Sequence, residues 1–96
     1  MYVVYEKKFR ITETVSCTVC GRRFVQDVIW NRDFRIRARK TRLAGEEFSR
    51  MCPEHRFQYY AAEIASAYTR GIIRDRDVEK MGIGLERLWE FIRRLR

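Results

Sequence analysis

Three cysteines and one histidine are the residues of this chain best suited to chemistry, and they fall into two pairs: Cys17-Thr18-Val19-Cys20 and Cys52-Pro53-Glu54-His55. Each pair holds two intervening residues, the spacing at which one tight turn or one helical turn presents both ligands to the same ion. In the first pair Gly21 follows at once and tolerates the positive φ that such a knuckle often requires. In the second, Cys52 stands where a helix cap would be, Pro53 suits the first helical position and Glu54 the first turn. His55 comes three residues after Cys52, so helical winding brings both to one side, and a helix amino terminus favours the thiolate of Cys52. Three cysteines cannot all pair as disulfides within one chain. With the single histidine they make four ligands, and the arithmetic favours metal. The expected cofactor is one Zn2+, with iron the alternative for a Cys3His set.

Four protein ligands close a tetrahedral shell, whereas a catalytic zinc keeps one position open. The zinc deaminases need a His-x-Glu beside a Pro-Cys-x-x-Cys, and this chain has neither. Once the metal has its ligands, no histidine is left to activate a nucleophile. The expected role of the metal is structural, the chain is expected not to be an enzyme, and no small-molecule substrate is implied.

The elements around these ligands follow from hydrophobic periodicity. Residues 2 to 16 alternate, with Phe9, Ile11 and Val15 against Lys8, Arg10, Thr12 and Thr14, and read as a strand. Residues 24 to 30 read as a second strand, Asn31-Arg32-Asp33 as a turn, and residues 34 to 40 as a third strand, giving an antiparallel hairpin of strands two and three. Residues 41 to 51 read as a loop or a short extra strand. From Pro53 the period becomes helical through Phe57, Tyr60, Ala61, Ile64 and Tyr68, with Gly71 as the stop. A short helix is expected from Asp75 to Met81. A final amphipathic helix is expected to pack Leu85, Leu88, Trp89 and Ile92 on the zinc core. Strands precede helices, so the expected fold class is a small zinc-stabilised α+β domain, a hairpin or short antiparallel sheet followed by two or three helices. All 96 residues are expected in one domain, β-rich over residues 1–51 and helical over 52–96.

A knuckle, then a hairpin, then a helix whose start carries the last two ligands resembles the treble-clef zinc fingers. The resemblance rests on CTVCG and CPEH, covers roughly residues 15 to 70, and implies a structural zinc wedged between hairpin and helix. Treble clefs occur in ribosomal proteins, transcription factors, nucleases and adaptors, so it fixes no function. The segment Val78-Glu79-Lys80-Met81-Gly82-Ile83-Gly84 with Leu88 faintly resembles a helix-turn-helix. Asp77 and Val78 depart from that pattern, and Glu86 and Glu90 would repel DNA.

The net charge of +8 points to a polyanionic partner. Seventeen of the 21 basic residues are Arg, whose forked donors suit phosphate; a biased genome or a hot-living source would also produce that excess. Arg35, Arg37 and Arg39 are expected on one face of the third strand, continued by Lys40 and Arg42, with Arg22 and Arg23 near the start of the hairpin. These seven are the candidate nucleic-acid contacts, for DNA or RNA alike. Tyr59, Tyr60, Tyr68 and Trp30 are further candidates for base stacking, most of them better explained as core. The leading reading is a zinc-stabilised nucleic-acid-binding protein of transcription or translation. The alternative is a protein-binding adaptor on a nucleoprotein machine, acting through the amphipathic last helix. A nuclease with unrecognised catalytic residues is a third reading. No apolar run nears the roughly 20 residues that span a bilayer, and the amino terminus lacks the order of a signal peptide, so a soluble intracellular, cytoplasmic protein is expected.

Overall fold

A computed structural model describes residues 11–95. It is an α+β fold, a two-stranded antiparallel sheet followed by helices. Strand β1 (Thr12–Ser16) pairs with β2 (Arg23–Asp27), with Thr12 opposite Asp27 and Ser16 opposite Arg23. The knuckle at residues 17–22 is therefore the tip of this hairpin. Residues 12 to 16 realise the end of the expected first strand; residues 2 to 10, Phe9 among them, lie outside the described residues.

The expected third strand does not form, and neither does the hairpin built on it. Val28–Arg37 is a helix, α1. Asp27 keeps extended backbone, and its carboxylate accepts a hydrogen bond from the Trp30 N–H at 2.9 Å, which caps the helix start. From there Trp30, Phe34 and Ala38 recur every four residues and are all buried, while Ile36, expected to anchor a strand, is 62% exposed. Arg35 and Arg37 consequently do not share a face, and Arg39 lies past the end of the helix. Among the described residues the strands end at Asp27, not near residue 51, and helices follow from Val28 on.

Residues 41 to 51 are neither loop nor strand. A 3-10 turn (Arg42–Ala44), capped by Thr41 Oγ1 accepting from the Leu43 N–H at 3.1 Å, leads into the short helix α2 (Glu46–Ser49). Together they bury Leu43 and Phe48. Helix α3 (Pro53–Thr69) forms as its periodicity demands: Phe57, Tyr60 and Ile64 are buried, Ala61 and Tyr68 partly so, and Gly71 turns the chain at φ +78°. An aromatic row crosses the core. Trp30 stacks on Phe34 at 4.9 Å, Phe34 meets Phe48 at 6.2 Å, and Phe48 meets the edge of Tyr60 at 5.2 Å.

Helices α4 (Asp75–Lys80) and α5 (Leu85–Arg94) close the fold. Asp77 pins α4 to α1: it accepts from Trp30 Nε1 at 3.0 Å, Arg37 at 2.8 Å and the Arg74 N–H at 2.9 Å. Burial alone would push its carboxyl up, but these three donors hold it below the usual carboxylate range. Helix α5 lies on α3 through Phe91 against Phe57 at 5.8 Å and Arg87 over the Phe57 ring at 4.5 Å. Leu88 and Ile92 are buried as expected, but Trp89 is not core; it is 46% exposed.

The turn between α4 and α5 buries Met81 and Ile83 around Gly82, which has φ +83°. A Cβ at Gly82 would stand 2.6 Å from the ring Cγ of Pro53, the first residue of α3. At Gly71, also at positive φ, a Cβ would meet nothing within 4 Å. Gly82→Ala is therefore expected to cost about 2 to 4 kcal/mol, combining backbone strain with overpacking. Gly71→Ala should cost about 1 kcal/mol from the backbone alone. Urea unfolding of the two variants checks this, and equal costs would refute the close approach.

Candidate metal centre

The four expected ligands come together from two elements. The knuckle is held by the Cys17 N–H donating to the Arg22 carbonyl at 2.8 Å and the Gly21 N–H donating to the Cys17 carbonyl at 2.8 Å. Gly21 takes the positive φ of +77° that the sequence implied. The knuckle is tied to the second pair by the Thr18 N–H, which donates to the Arg50 carbonyl at 3.1 Å, two residues before Cys52. Cys52 is the N-cap residue of α3 and Pro53 its first helical residue, so His55 rises one turn into the helix beside it.

The ligand atoms of Cys17, Cys20, Cys52 and His55 all lie within 4.8 Å of one another. Cys52 Sγ is 3.2 Å and Cys17 Sγ 3.8 Å from His55 Nδ1, and Cys20 Sγ is 4.0 Å from Cys52 Sγ. A tetrahedral zinc with Zn–S of about 2.3 Å and Zn–N of about 2.0 Å sets its ligand atoms roughly 3.5 to 3.8 Å apart. The donor set and its spacing fit such an ion, presented through the Nδ1 side of His55. Cys17 and Cys52 are buried and Cys20 is exposed, so the site opens to solvent at the hairpin tip. Burial pushes the Cys17 thiol up, but backbone amides of Cys52, Cys20 and Val19 outweigh it and bring the group down to about 6. At Cys20 a backbone contact with Arg22 works downward, and burial with the neighbouring Cys17 and Cys52 sulfurs prevails, raising it.

Directly after His55 stands a residue that sequence reasoning passed over. Arg56 is 2% exposed, the one buried cation among the described residues. Its guanidinium donates to the carbonyls of Phe48 at 3.0 Å, Ser49 at 2.9 Å and Met81 at 3.2 Å, and to Gln26 Oε1. The Phe24 and Phe48 rings lie 5.3 and 5.2 Å from its central carbon. Burial drives the group down to about 10, against the pull of the Cys52 and Cys17 sulfurs, so it remains charged at neutral pH. One side chain thereby joins β2, α2, α3 and the α4–α5 turn beside the ligand cluster. The signal was the four-residue row Cys52, Arg56, Tyr60, Ile64, in which every other member is a core residue or a ligand.

The basic candidates separate. Arg22 and Arg23 are exposed at the knuckle and the start of β2. Arg35 donates to the Ala44 carbonyl at 3.3 Å, and Arg37 is engaged by Asp77. Arg39, Lys40 and Arg42 are exposed and meet Arg70 of the α3 end around one groove of about 380 Å³. Of the aromatic candidates, Trp30 and Tyr60 are core, and Tyr59 is exposed with its ring 5.9 Å from that of His55. Among the described residues no helix is long and apolar enough to cross a membrane. Comparison with known protein families, curated proteins and solved structures finds no match.

Proposed function

We propose that this chain is a non-enzymatic nucleic-acid-binding protein of transcription or translation, stabilised by one zinc ion on Cys17, Cys20, Cys52 and His55. The likeness to treble-clef fingers extends to the knuckle and the ligand-bearing helix start; α1 and α2 take the place of the intervening hairpin. With zinc, the closed set of four ligands supplies cross-linking and leaves no position for a substrate.

The observation that carries the nucleic-acid reading is the groove of Arg39, Lys40, Arg42 and Arg70. Glu63 is the one carboxylate on its lining, and none of the four cations forms an ion pair with another described residue. Arg42 is braced by the Tyr60 ring at 5.6 Å. Unpaired cations held by a rigid scaffold suit phosphate contacts, which position a nucleic acid without reading its sequence.

Replacing Arg39, Lys40, Arg42 and Arg70 together by Gln is expected to leave the fold intact and to weaken binding alike across unrelated sequences. Each lost contact should flatten the slope of log affinity against log salt by about 0.7 for single strands or 0.9 for duplex DNA. Salt titrations of wild type and variant on one probe make the test. Equal affinity and equal slope would reduce the groove to a solvated surface, and no binding at low salt would remove the nucleic-acid reading altogether.

A further inference from the structure

The carboxy-terminal end of α3 is shared by two concave surfaces. Ser66, Ala67 and Arg70 face the basic groove. Tyr68, Thr69 and Gly71 line a second cavity of about 710 Å³, closed by Ile73 and Trp89 and rimmed by Arg74 and Arg76. In that second cavity the Tyr68 and Trp89 rings stand perpendicular at 5.4 Å, forming a corner rather than a filled stack. The Tyr68 hydroxyl donates to Asp75 at 2.5 Å, which fixes the ring; Asp75 is the one carboxylate of the lining, against two arginines. Arg74 and Arg76 are exposed and form no ion pair with another described residue.

We infer that Trp89 is a base-stacking platform and that the nucleic acid is single-stranded, its phosphates following Arg39, Lys40, Arg42 and Arg70 and then Arg74 and Arg76. This rests on the nucleic-acid reading above and narrows it. A half-exposed indole beside unpaired guanidiniums, at the same end of α3 as the basic groove, combines the two features that single-strand sites use: cations along the backbone and an aromatic face for a base. A duplex keeps its bases stacked inside and offers the indole nothing. A protein partner would gain from the apolar corner and lose by desolvating the arginine rim.

The two tryptophans make the test specific, because Trp30 is buried at 8% exposure and Trp89 is open. The probe is a thymidine homopolymer of about 16 nucleotides, the upper end of small single-strand sites, against a duplex of equal length. Binding of the single strand is expected to quench tryptophan emission in wild type, and Trp89→Phe should remove the quench while keeping most of the affinity. Trp89→Ala should lose about 5- to 150-fold for the single strand and nothing for the duplex. Arg74→Gln with Arg76→Gln, both on the surface, should weaken the single strand without touching the fold. Duplex and single strand bound equally, with no quench and no effect of Trp89→Ala, would overturn the platform while the nucleic-acid reading stands, leaving the corner to a protein. No binding of either probe at low salt would remove both.

Discussion

Chelating the metal is expected to unfold this protein, and replacing Cys52 or Cys17 by Ser should do the same. Structural zinc in small domains contributes about 10 to 16 kcal/mol at neutral pH. The whole stability of a typical domain is about 5 to 15 kcal/mol. The sheet that carries Cys17 and Cys20 has two strands, and a two-stranded hairpin is marginal by itself. Its tip meets α3 at the four ligands; without an ion the Thr18–Arg50 hydrogen bond and the Arg56 contacts with Gln26 and Phe24 are left to hold it against four clustered, unscreened ligand groups. Acid should mimic chelation, since three thiols and an imidazole take up protons as the ion leaves. Cys20→Ser should be milder than Cys52→Ser. Cys20 is exposed and water can fill its place, whereas Cys52 is also buried core at the start of α3. Metal analysis with circular dichroism in strong chelator decides the matter. A chain that contains no metal and keeps its full helical signal would overturn the zinc-stabilised reading.

The metal ligands and α3 were legible because their rules are local. Cys52-Pro53-Glu54-His55 states a cap, a first helical residue, a first-turn acid and a one-turn spacing within four residues. Residues 28 to 38 were not legible, because Phe34, Ile36 and Ala38 fit a period of two while Trp30, Phe34 and Ala38 fit a period of four. Asp27 decides between them by capping the Trp30 N–H, and the basic residues taken for a strand face are dispersed as a result. The last helix carries the apolar stripe that its periodicity implies, but α3 covers it unevenly. Leu88 and Ile92 are covered; Trp89, at the margin, meets the Tyr68 ring and stays half-exposed, and Leu95 is exposed past the helix end. Periodicity reports which side of a helix is apolar; how much of that side is covered depends on the partner's breadth.

Arg56→Met is expected to be the most damaging substitution outside the four ligands. It replaces a buried cation by an apolar side chain of similar length, yet leaves the Phe48, Ser49 and Met81 carbonyls and Gln26 Oε1 without their donor. Breaking a buried charged network from one side costs about 3 to 5 kcal/mol, mostly through the groups left behind. Arg56→Lys separates geometry from charge. A lysine keeps the positive charge but donates from a single nitrogen, and cannot reach acceptors spread across β2, α2 and the α4–α5 turn. If the network is what matters, both variants should fall by several kcal/mol in urea unfolding. The charge has a second role beside the ligands: Zn2+ with three thiolates carries a net charge of about −1, which a buried cation offsets. Arg56→Met should therefore also weaken metal affinity, read by competition with a chelator under conditions where the variant is still folded, and Arg56→Lys should retain more of it. Near-wild-type stability in both variants would show that the four acceptors find other donors, and that Arg56 is a passenger in the core.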